Sequence, residues 1–77
     1  MEIEEAFAHN LKRFRHQNGL TQEELAEESG ISFKYIYKLE SGKANPSIRF
    51  VDILAKTLGV SVISFFLDEE GEKIDFN

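Results

Sequence analysis

One face of a short segment in this 77-residue chain combines two cations and two large aromatic rings at helical spacing. Helical periodicity turns Ile36 and Leu39 inward, which leaves four residues on the outward face. They are Phe33, Lys34, Tyr37 and Lys38, and none of them is acidic. Lysine can donate to guanine O6 and N7, phenylalanine can pack on a thymine methyl group, and tyrosine can donate to a base edge or a phosphate. The face therefore suits the major groove of DNA.

Two simpler interpretations of this face stay open. The lysines can belong to an ordinary solvated helix face, and the aromatic residues can belong to the core or to a dimer interface. Two large exposed rings on so small a surface are uncommon without a partner. We therefore expect Phe33, Lys34, Tyr37 and Lys38 to contact DNA bases.

Polar residues on either side of this segment are candidates for contact with the DNA backbone. Gln22 stands at the first position of a predicted helix, where its amide and side chain can meet a phosphate with the helix dipole behind it. Loop residues and the start of the next helix add further donors. The candidates are Gln22, Ser32, Tyr35, Lys43, Asn45 and Arg49, with Tyr35 the weaker one.

Apolar periodicity and cap signals predict the helices that carry these residues. Apolar residues at steps of three and four predict a first helix over residues 3–18. Thr21 and Glu24 form a capping box that begins a second helix. Gly30 supplies the left-handed residue that ends this helix about two turns later.

The third helix is capped by Ser32 and stops at Ser41-Gly42. Two short helices joined by a turn that contains glycine are the geometry of a helix-turn-helix, whose second helix enters a DNA groove. The sequence thus predicts a helix-turn-helix over residues 21–41, with residues 32–40 as the recognition helix.

The remaining chain predicts two more helices and a tail. Ser47 caps a fourth helix, and Ser61 begins a short fifth helix that ends near Phe66. The fold class is all-α, with one compact domain over residues 1–66. Residues 67–77 form an acidic tail. Gly71 permits a hairpin or a short strand in this tail, although we expect the tail to be frayed.

Seven short motifs along the chain match one family pattern. They are Leu20-Thr21-Gln22-Glu23-Glu24-Leu25-Ala26, Gly30-Ile31-Ser32, Tyr35-Ile36, Leu39-Glu40, Gly42-Lys43, Asn45-Pro46-Ser47 and Leu58-Gly59-Val60. Over about residues 10–66 the chain resembles the lambda-repressor/Cro-like (Xre) helix-turn-helix family. The resemblance implies a five-helix DNA-binding domain that regulates transcription as a homodimer on a palindromic operator. At this length the chain looks most like restriction-modification controller proteins or small phage-type repressors.

Three residues of the recognition helix, Phe33, Lys34 and Tyr37, depart from the family pattern. Such positions vary with the operator within the family, so the DNA target stays open. The resemblance also implies an ion pair between Arg15 at the end of the first helix and Glu40 at the end of the recognition helix. We expect this pair to fix the angle of the recognition helix rather than to contact DNA.

Apolar residues beyond the inward stripes indicate a self-complementary surface. They are Phe50, Ile53, Ile63 and Phe66, on the predicted fourth and fifth helices. The alternative is that Phe50, Ile53 and Phe66 enlarge a small core, which leaves Ile63 as the best candidate for a dimer interface.

Other classes of protein are disfavoured by composition. The chain has no cysteine, so neither disulfides nor thiolate-bound metal can stabilise it, and its apolar runs are too short for a membrane span. His9 and His16 lie about 10 Å apart along one helix, too far to share a metal without other ligands. We expect a cytoplasmic protein with no enzymatic activity, no cofactor and no metal.

The net charge of −5 is unevenly distributed. Residues 10–50 carry seven bases and five acids, whereas residues 51–77 carry two bases and six acids. A basic face can therefore coexist with an acidic chain. An alternative function is a protein-interaction module, antitoxin-like or adaptor-like, that binds through Phe33 and Tyr37. Steep salt dependence would distinguish a DNA partner from a protein partner docked on aromatic rings.

Overall fold

The computed structural model describes residues 1–76 of the chain, so Asn77 at the end of the predicted tail lies outside the described residues. The elements are α1 (Ile3–Gln17), α2 (Gln22–Ser29), α3 (Phe33–Glu40), α4 (Ile48–Leu58) and a 3₁₀ helix (Val62–Phe66). No β-strand occurs among residues 1–76. The all-helical fold is confirmed, and the predicted fifth helix takes the tighter 3₁₀ form.

Side-chain caps set the helix starts where the sequence predicts them. The Thr21 hydroxyl accepts a hydrogen bond from the Glu24 amide at 3.0 Å, and the Glu24 carboxylate accepts one from the Thr21 amide at 2.9 Å. In the same way, the Ser32 hydroxyl accepts a hydrogen bond from the Tyr35 amide, and the Ser47 hydroxyl accepts one from the Phe50 amide. Gly30 ends α2 with φ of 75°, a conformation that costs a residue with a Cβ atom about 1–2 kcal/mol.

The core lies where α1 meets α3 and the 3₁₀ helix and where α2 meets α3 and α4. The Phe65 side chain is fully buried, with its ring centroid 4.8 Å from that of Phe7 and 5.5 Å from that of Phe14. The other buried members are Leu11, Leu25, Ile31, Ile36, Leu39, Val51, Leu54, Ala55 and Leu58. The five elements thus share one core. None of the described helices has the length and apolar character needed to cross a bilayer.

A buried asparagine attaches the C-terminal segment to α1. Asn10 is 1% exposed, and its Nδ2 atom donates to the carbonyl oxygens of Phe65 and Leu67 at 2.7 and 2.8 Å. Its Oδ1 atom accepts a hydrogen bond from the Arg13 guanidinium at 2.8 Å. Each polar atom of this side chain is therefore satisfied, as burial requires.

The segment after the 3₁₀ helix folds back on itself. An antiparallel bridge joins Leu67 to Lys73, and the Asp68 carboxylate accepts hydrogen bonds from the amides of Glu70 and Glu72. The carboxylate of Glu69 contacts the ring of His9 on α1 at 2.9 Å. Residues 67–73 are therefore not the frayed tail that we expected. They form a hairpin-like turn with a single antiparallel bridge. Contacts from His9 and Asn10 on α1 stabilise this segment, and the local sequence does not reveal them.

We expect Asn10→Asp to destabilise the protein strongly. The substitution removes two donors and places carboxyl oxygens against two carbonyl oxygens. The free energy of unfolding should fall by about 3 kcal/mol, the upper part of the range for a buried unsatisfied group. Urea denaturation measures this change. Asn45→Asp, the same substitution at an exposed loop position, should change it by less than about 0.5 kcal/mol. Equal effects would show that the buried bonds of Asn10 contribute little.

Candidate nucleic-acid interface

The exposed face of α3 carries the four residues that the sequence singles out for base contact. Ile36 and Leu39 are 0% exposed and attach the opposite face of the helix to the core. Outward lie Phe33 and Tyr37, 45% and 59% exposed, together with two exposed lysines. The structure therefore brings Phe33, Lys34, Tyr37 and Lys38 to one surface.

This surface is positive because its cations have no partners in the described chain. Lys34 and Lys38 form no ion pair among residues 1–76. The only acidic residue of α3 is Glu40, which is buried and paired with Arg15. Both lysine charges are thus available to an anionic ligand. The exposed face of α3 thus carries two aromatic rings and two lysines that have no ion-pair partner among residues 1–76. Such a face fits the base edges and the phosphate backbone of a nucleic acid.

The ion pair between Arg15 and Glu40 joins α1 to the end of α3. The Arg15 Nε atom lies 2.7 Å from Glu40 Oε2, and its Nη2 atom lies 3.0 Å from Oε1. The side chains are only 10% and 2% exposed. Arg15 also donates through Nη1 to the carbonyl oxygen of Leu20 at 2.7 Å, just before α2. One guanidinium therefore connects the first helix, the start of the second and the end of the third.

Gln22 belongs to the same network. Its Nε2 atom donates to Glu40 Oε1 at 3.1 Å, and the residue is partly exposed at the first position of α2. A primary amide has two hydrogens on nitrogen, so one remains for a second acceptor. The Gln22 amide group is thus held in place by Glu40 with a donor to spare.

The loop between α3 and α4 carries more of the candidate backbone contacts. Lys43, Asn45 and Arg49 are exposed there or in the first turn of α4. Tyr35 is half-buried instead: its ring packs against Phe50 at a centroid distance of 5.2 Å, and its hydroxyl donates to the Asn45 carbonyl oxygen at 3.2 Å. Tyr35 therefore positions this loop.

Ser32 lies at the opposite end of α3. It is exposed, and its hydroxyl oxygen caps the helix by accepting a hydrogen bond from the Tyr35 amide at 3.2 Å. The hydroxyl hydrogen is free to point elsewhere. Ser32 can thus keep its structural role and still donate to a phosphate.

The four residues considered for a dimer interface divide into two groups. Phe50, Ile53 and Phe66 are half-buried and pack against the core, as the alternative interpretation expected. Ile63 is 63% exposed on the 3₁₀ helix. Sequence reasoning missed Ile48, which is 87% exposed at the start of α4. Ile48 lies three residues before the buried Val51, a helical spacing that fits a core residue, so the spacing alone does not reveal its exposure.

The histidines are separate surface residues. His9 contacts Glu69, and His16 is exposed near the end of α1. Within the described chain, no group of three or more histidine, aspartate and glutamate side chains could hold a metal ion.

The fold, in which the short helices α2 and α3 are joined by a turn at Gly30, is that of a helix-turn-helix protein. A family model described as helix-turn-helix (HTH_3) matches residues 11–65. The chain therefore belongs to this family of transcriptional regulators.

Relatives and solved structures agree with this assignment. An uncharacterized HTH-type transcriptional regulator of Sinorhizobium fredii, y4dJ, is 41% identical over 61 residues, which are 79% of either chain. Control protein C.SmaI of Serratia marcescens is 42% identical over 62 residues, 80% of this chain and 74% of that protein. The restriction-modification controller protein C.Esp1396I, solved as a tetramer with its natural 35 base-pair operator, is similar at a TM-score of 0.76 and 30% identity, covering 86% of this chain and 87% of that one.

We expect the Arg15–Glu40 pair to show strong coupling in a double-mutant cycle. Arg15→Met or Glu40→Leu alone leaves a buried charge without its partner, which should cost about 3–5 kcal/mol of unfolding free energy. The double variant buries two apolar side chains and should cost less than either single variant.

The exposed pair of Asp52 and Lys56, 3.1 Å apart on α4, is the matched control. Its coupling should be about 0.3–0.5 kcal/mol. Urea denaturation of both cycles gives the comparison. Additive effects at Arg15 and Glu40, within about 0.5 kcal/mol, would contradict a stabilising connection between the helices.

Proposed function

We propose that this protein is a sequence-specific regulator that binds double-stranded DNA as a homodimer on a palindromic operator. In this proposal α3 lies in the major groove, with Phe33, Lys34, Tyr37 and Lys38 at the base edges. Gln22, Ser32, Lys43, Asn45 and Arg49 contact the backbone, and Tyr35 acts mainly by holding the loop.

The exposed face of α3 is the observation that carries this proposal. A helix of eight residues can enter the major groove, where each base pair presents a distinct set of donors and acceptors. Phe33 and Tyr37 are large rings that the fold leaves outside the core, and Lys34 and Lys38 are unpaired within residues 1–76. Neither ring belongs to the hydrophobic core. The operator-bound structure of the similar controller protein C.Esp1396I supports the same role.

The acidic net charge is compatible with this role because the acids lie elsewhere. Four of the five acids among residues 10–50 lie on α2, and six more lie after residue 50. Nonspecific attraction to DNA should therefore be weak and strongly salt-dependent. Binding then depends on the correct site and on two subunits acting together.

The homodimer is supported by apolar side chains that the single chain leaves exposed. Ile48 lines a largely apolar cavity of about 200 Å³ with Ile3, Phe7, Pro46, Val51 and Phe66, and Glu4 and Asn45 complete its lining. Ile63 and Val62 are exposed on the 3₁₀ helix, 63% and 41%. We propose that a second copy covers these residues. A two-fold axis would then place the two copies of α3 about 34 Å apart, one turn of DNA.

We assign DNA binding to a domain over residues 1–66, and residues 67–77 form an acidic C-terminal tail to that domain. The target of such a regulator is genomic or phage DNA, so we propose that it acts in the cytoplasm.

We expect operator selection from random duplexes to return palindromic sites whose affinity depends steeply on salt. A dimer with six or more phosphate contacts should lose about 10³-fold in affinity between 50 and 200 mM salt. Lys34→Ala should relax the preference at one base pair of each half-site by about 1–3 kcal/mol. Lys56→Ala, which also removes one cation but lies on α4 outside the face, should leave base preference unchanged.

Failure to enrich any site at low salt would overturn the DNA-binding proposal. Salt-insensitive binding to a protein, lost on Tyr37→Ala or Phe33→Ala, would favour the protein-interaction alternative instead.

We expect Ile63→Glu and Ile48→Glu to shift the protein toward a monomer and to weaken operator binding. Both side chains are mostly exposed in the single chain, so a carboxylate there should leave the fold intact while disrupting a dimer interface. Sedimentation equilibrium at micromolar concentration measures the shift, and circular dichroism checks the fold. Gln17→Glu, at an exposed position of α1, is the control. A monomeric wild-type protein that still binds its operator would contradict the dimer.

A further inference from the structure

A largely apolar cavity lies between α1 and the C-terminal tail. Its volume is about 410 Å³, which falls within the range of about 300–1,000 Å³ that is typical of ligand-binding clefts. The apolar side chains of its lining are Met1, Ala6, Leu67 and Ile74. Met1 is 55% exposed, so part of this apolar surface is open to a partner. We call this cavity the α1–tail groove.

Acidic side chains give the α1–tail groove a negative charge. Its lining contains one lysine, Lys73, and the four acids Asp68, Glu69, Glu70 and Asp75. Four carboxylates and one ammonium group leave a net side-chain charge of −3 when His9, the remaining lining residue, is neutral. The carboxylates of Glu70 and Asp75 form no ion pair among residues 1–76. A partner that fits this groove therefore presents both apolar side chains and positive charge.

The exposed face of α3 has the complementary composition. Phe33 and Tyr37 are 45% and 59% exposed, and they are the only exposed phenylalanine and tyrosine rings on the helices of the described chain. Lys34 and Lys38 on the same face have no ion-pair partner among residues 1–76. Aromatic rings are enriched in protein interfaces, and opposite charges fix the register of two surfaces. The face of α3 thus matches the groove in both respects.

The groove and α3 lie on different sides of α1. Ala6 lines the groove, whereas Arg15 binds Glu40 at the end of α3. Ala6 and Arg15 are nine residues apart, or about two and a half turns, which places them on opposite sides of the helix. The face of α3 within one chain therefore cannot fill the groove of that same chain, and the occupant is a second copy.

We propose that the α1–tail groove binds the exposed face of α3 of a second copy, in a head-to-tail contact that competes with DNA. The rings of that face lie against the apolar side chains of the groove, and its two lysines lie near the carboxylates. Only the competition rests on the proposed function, because DNA and the groove then use the same face of α3. A head-to-tail contact joins two different surfaces, so it is distinct from the proposed two-fold dimer and compatible with it.

Mixing two variants of the full chain tests the contact without DNA. The groove variant carries Glu70→Gln and Asp75→Asn. The face variant carries Lys34→Gln and Lys38→Gln. Both are made in a parent chain that carries Ile63→Glu, so that the proposed two-fold dimer does not contribute. The substituted side chains are all exposed, so the fold should survive, and circular dichroism checks it.

Sedimentation equilibrium at low salt should show that the parent chain associates. Each variant alone should associate about 5- to 30-fold more weakly, the combined effect of two exposed charge pairs. An equimolar mixture should form one-to-one pairs with the affinity of the parent, because one variant supplies an intact face and the other an intact groove. Rising salt should weaken the association. The control, Glu27→Gln with Glu28→Gln, removes two exposed acids from α2 and should associate like the parent.

Two results would overturn the contact while leaving DNA binding intact. One is a parent chain that stays monomeric at its highest soluble concentration. The other is a mixture that associates no better than its components. If copies do not associate but a synthetic lysine- and leucine-rich peptide binds the parent and not the groove variant, the groove belongs to a different protein and this occupant is wrong.

The selected operator tests the competition. At low salt the free wild-type chain should form assemblies larger than a dimer, and a duplex with one palindromic site should reduce them to a single dimer–DNA complex. Operator-bound protein that keeps the head-to-tail contact would overturn the competition. Restored pairing in the mixture without any operator binding by the wild type would retain the contact and overturn the proposed function.

Discussion

The placement of the end of α3 depends on one buried ion pair. Arg15 donates two hydrogen bonds to the Glu40 carboxylate, at 2.7 and 3.0 Å, in a site where neither side chain is more than 10% exposed. Charges removed from water to this extent are costly unless their geometry satisfies them. The pair therefore permits only a narrow range of angles between α1 and α3. The bonds from Arg15 to the Leu20 carbonyl and from Gln22 to Glu40 extend the same constraint to α2.

This arrangement separates the residues that hold the fold from those that face outward. Ile36 and Leu39 fix α3 to the core, and Glu40 fixes its end, while Phe33 and Tyr37 stay 45% and 59% exposed. In the proposed complex, changes on the outward face would therefore alter the DNA target while the core of the domain stays the same. A domain of this size buries only about 60% of its unfolded surface. In the proposed dimer, a second copy would cover exposed apolar residues such as Ile48 and Ile63.

Local signals in the sequence were enough to place the helices and the outward face of α3. The capping box of Thr21 and the left-handed Gly30 act within a few residues, so they can be recognised without a fold. The roles of Asn10 and Tyr35 could not be predicted, because their partners lie 55 and 10 residues away and exist only after the chain has folded.

Protection of guanine N7 from dimethyl sulfate on a selected operator is the sharpest test of whether α3 enters the major groove, because this atom lies there. We expect two protected clusters about 10–10.5 base pairs apart, one for each copy of α3. Glu40→Leu removes the connection between α1 and α3 and should weaken protection in both clusters. If the guanine N7 atoms of a bound operator stayed reactive, or if only one cluster were protected, the proposed binding of two copies of α3 in the major groove would be wrong.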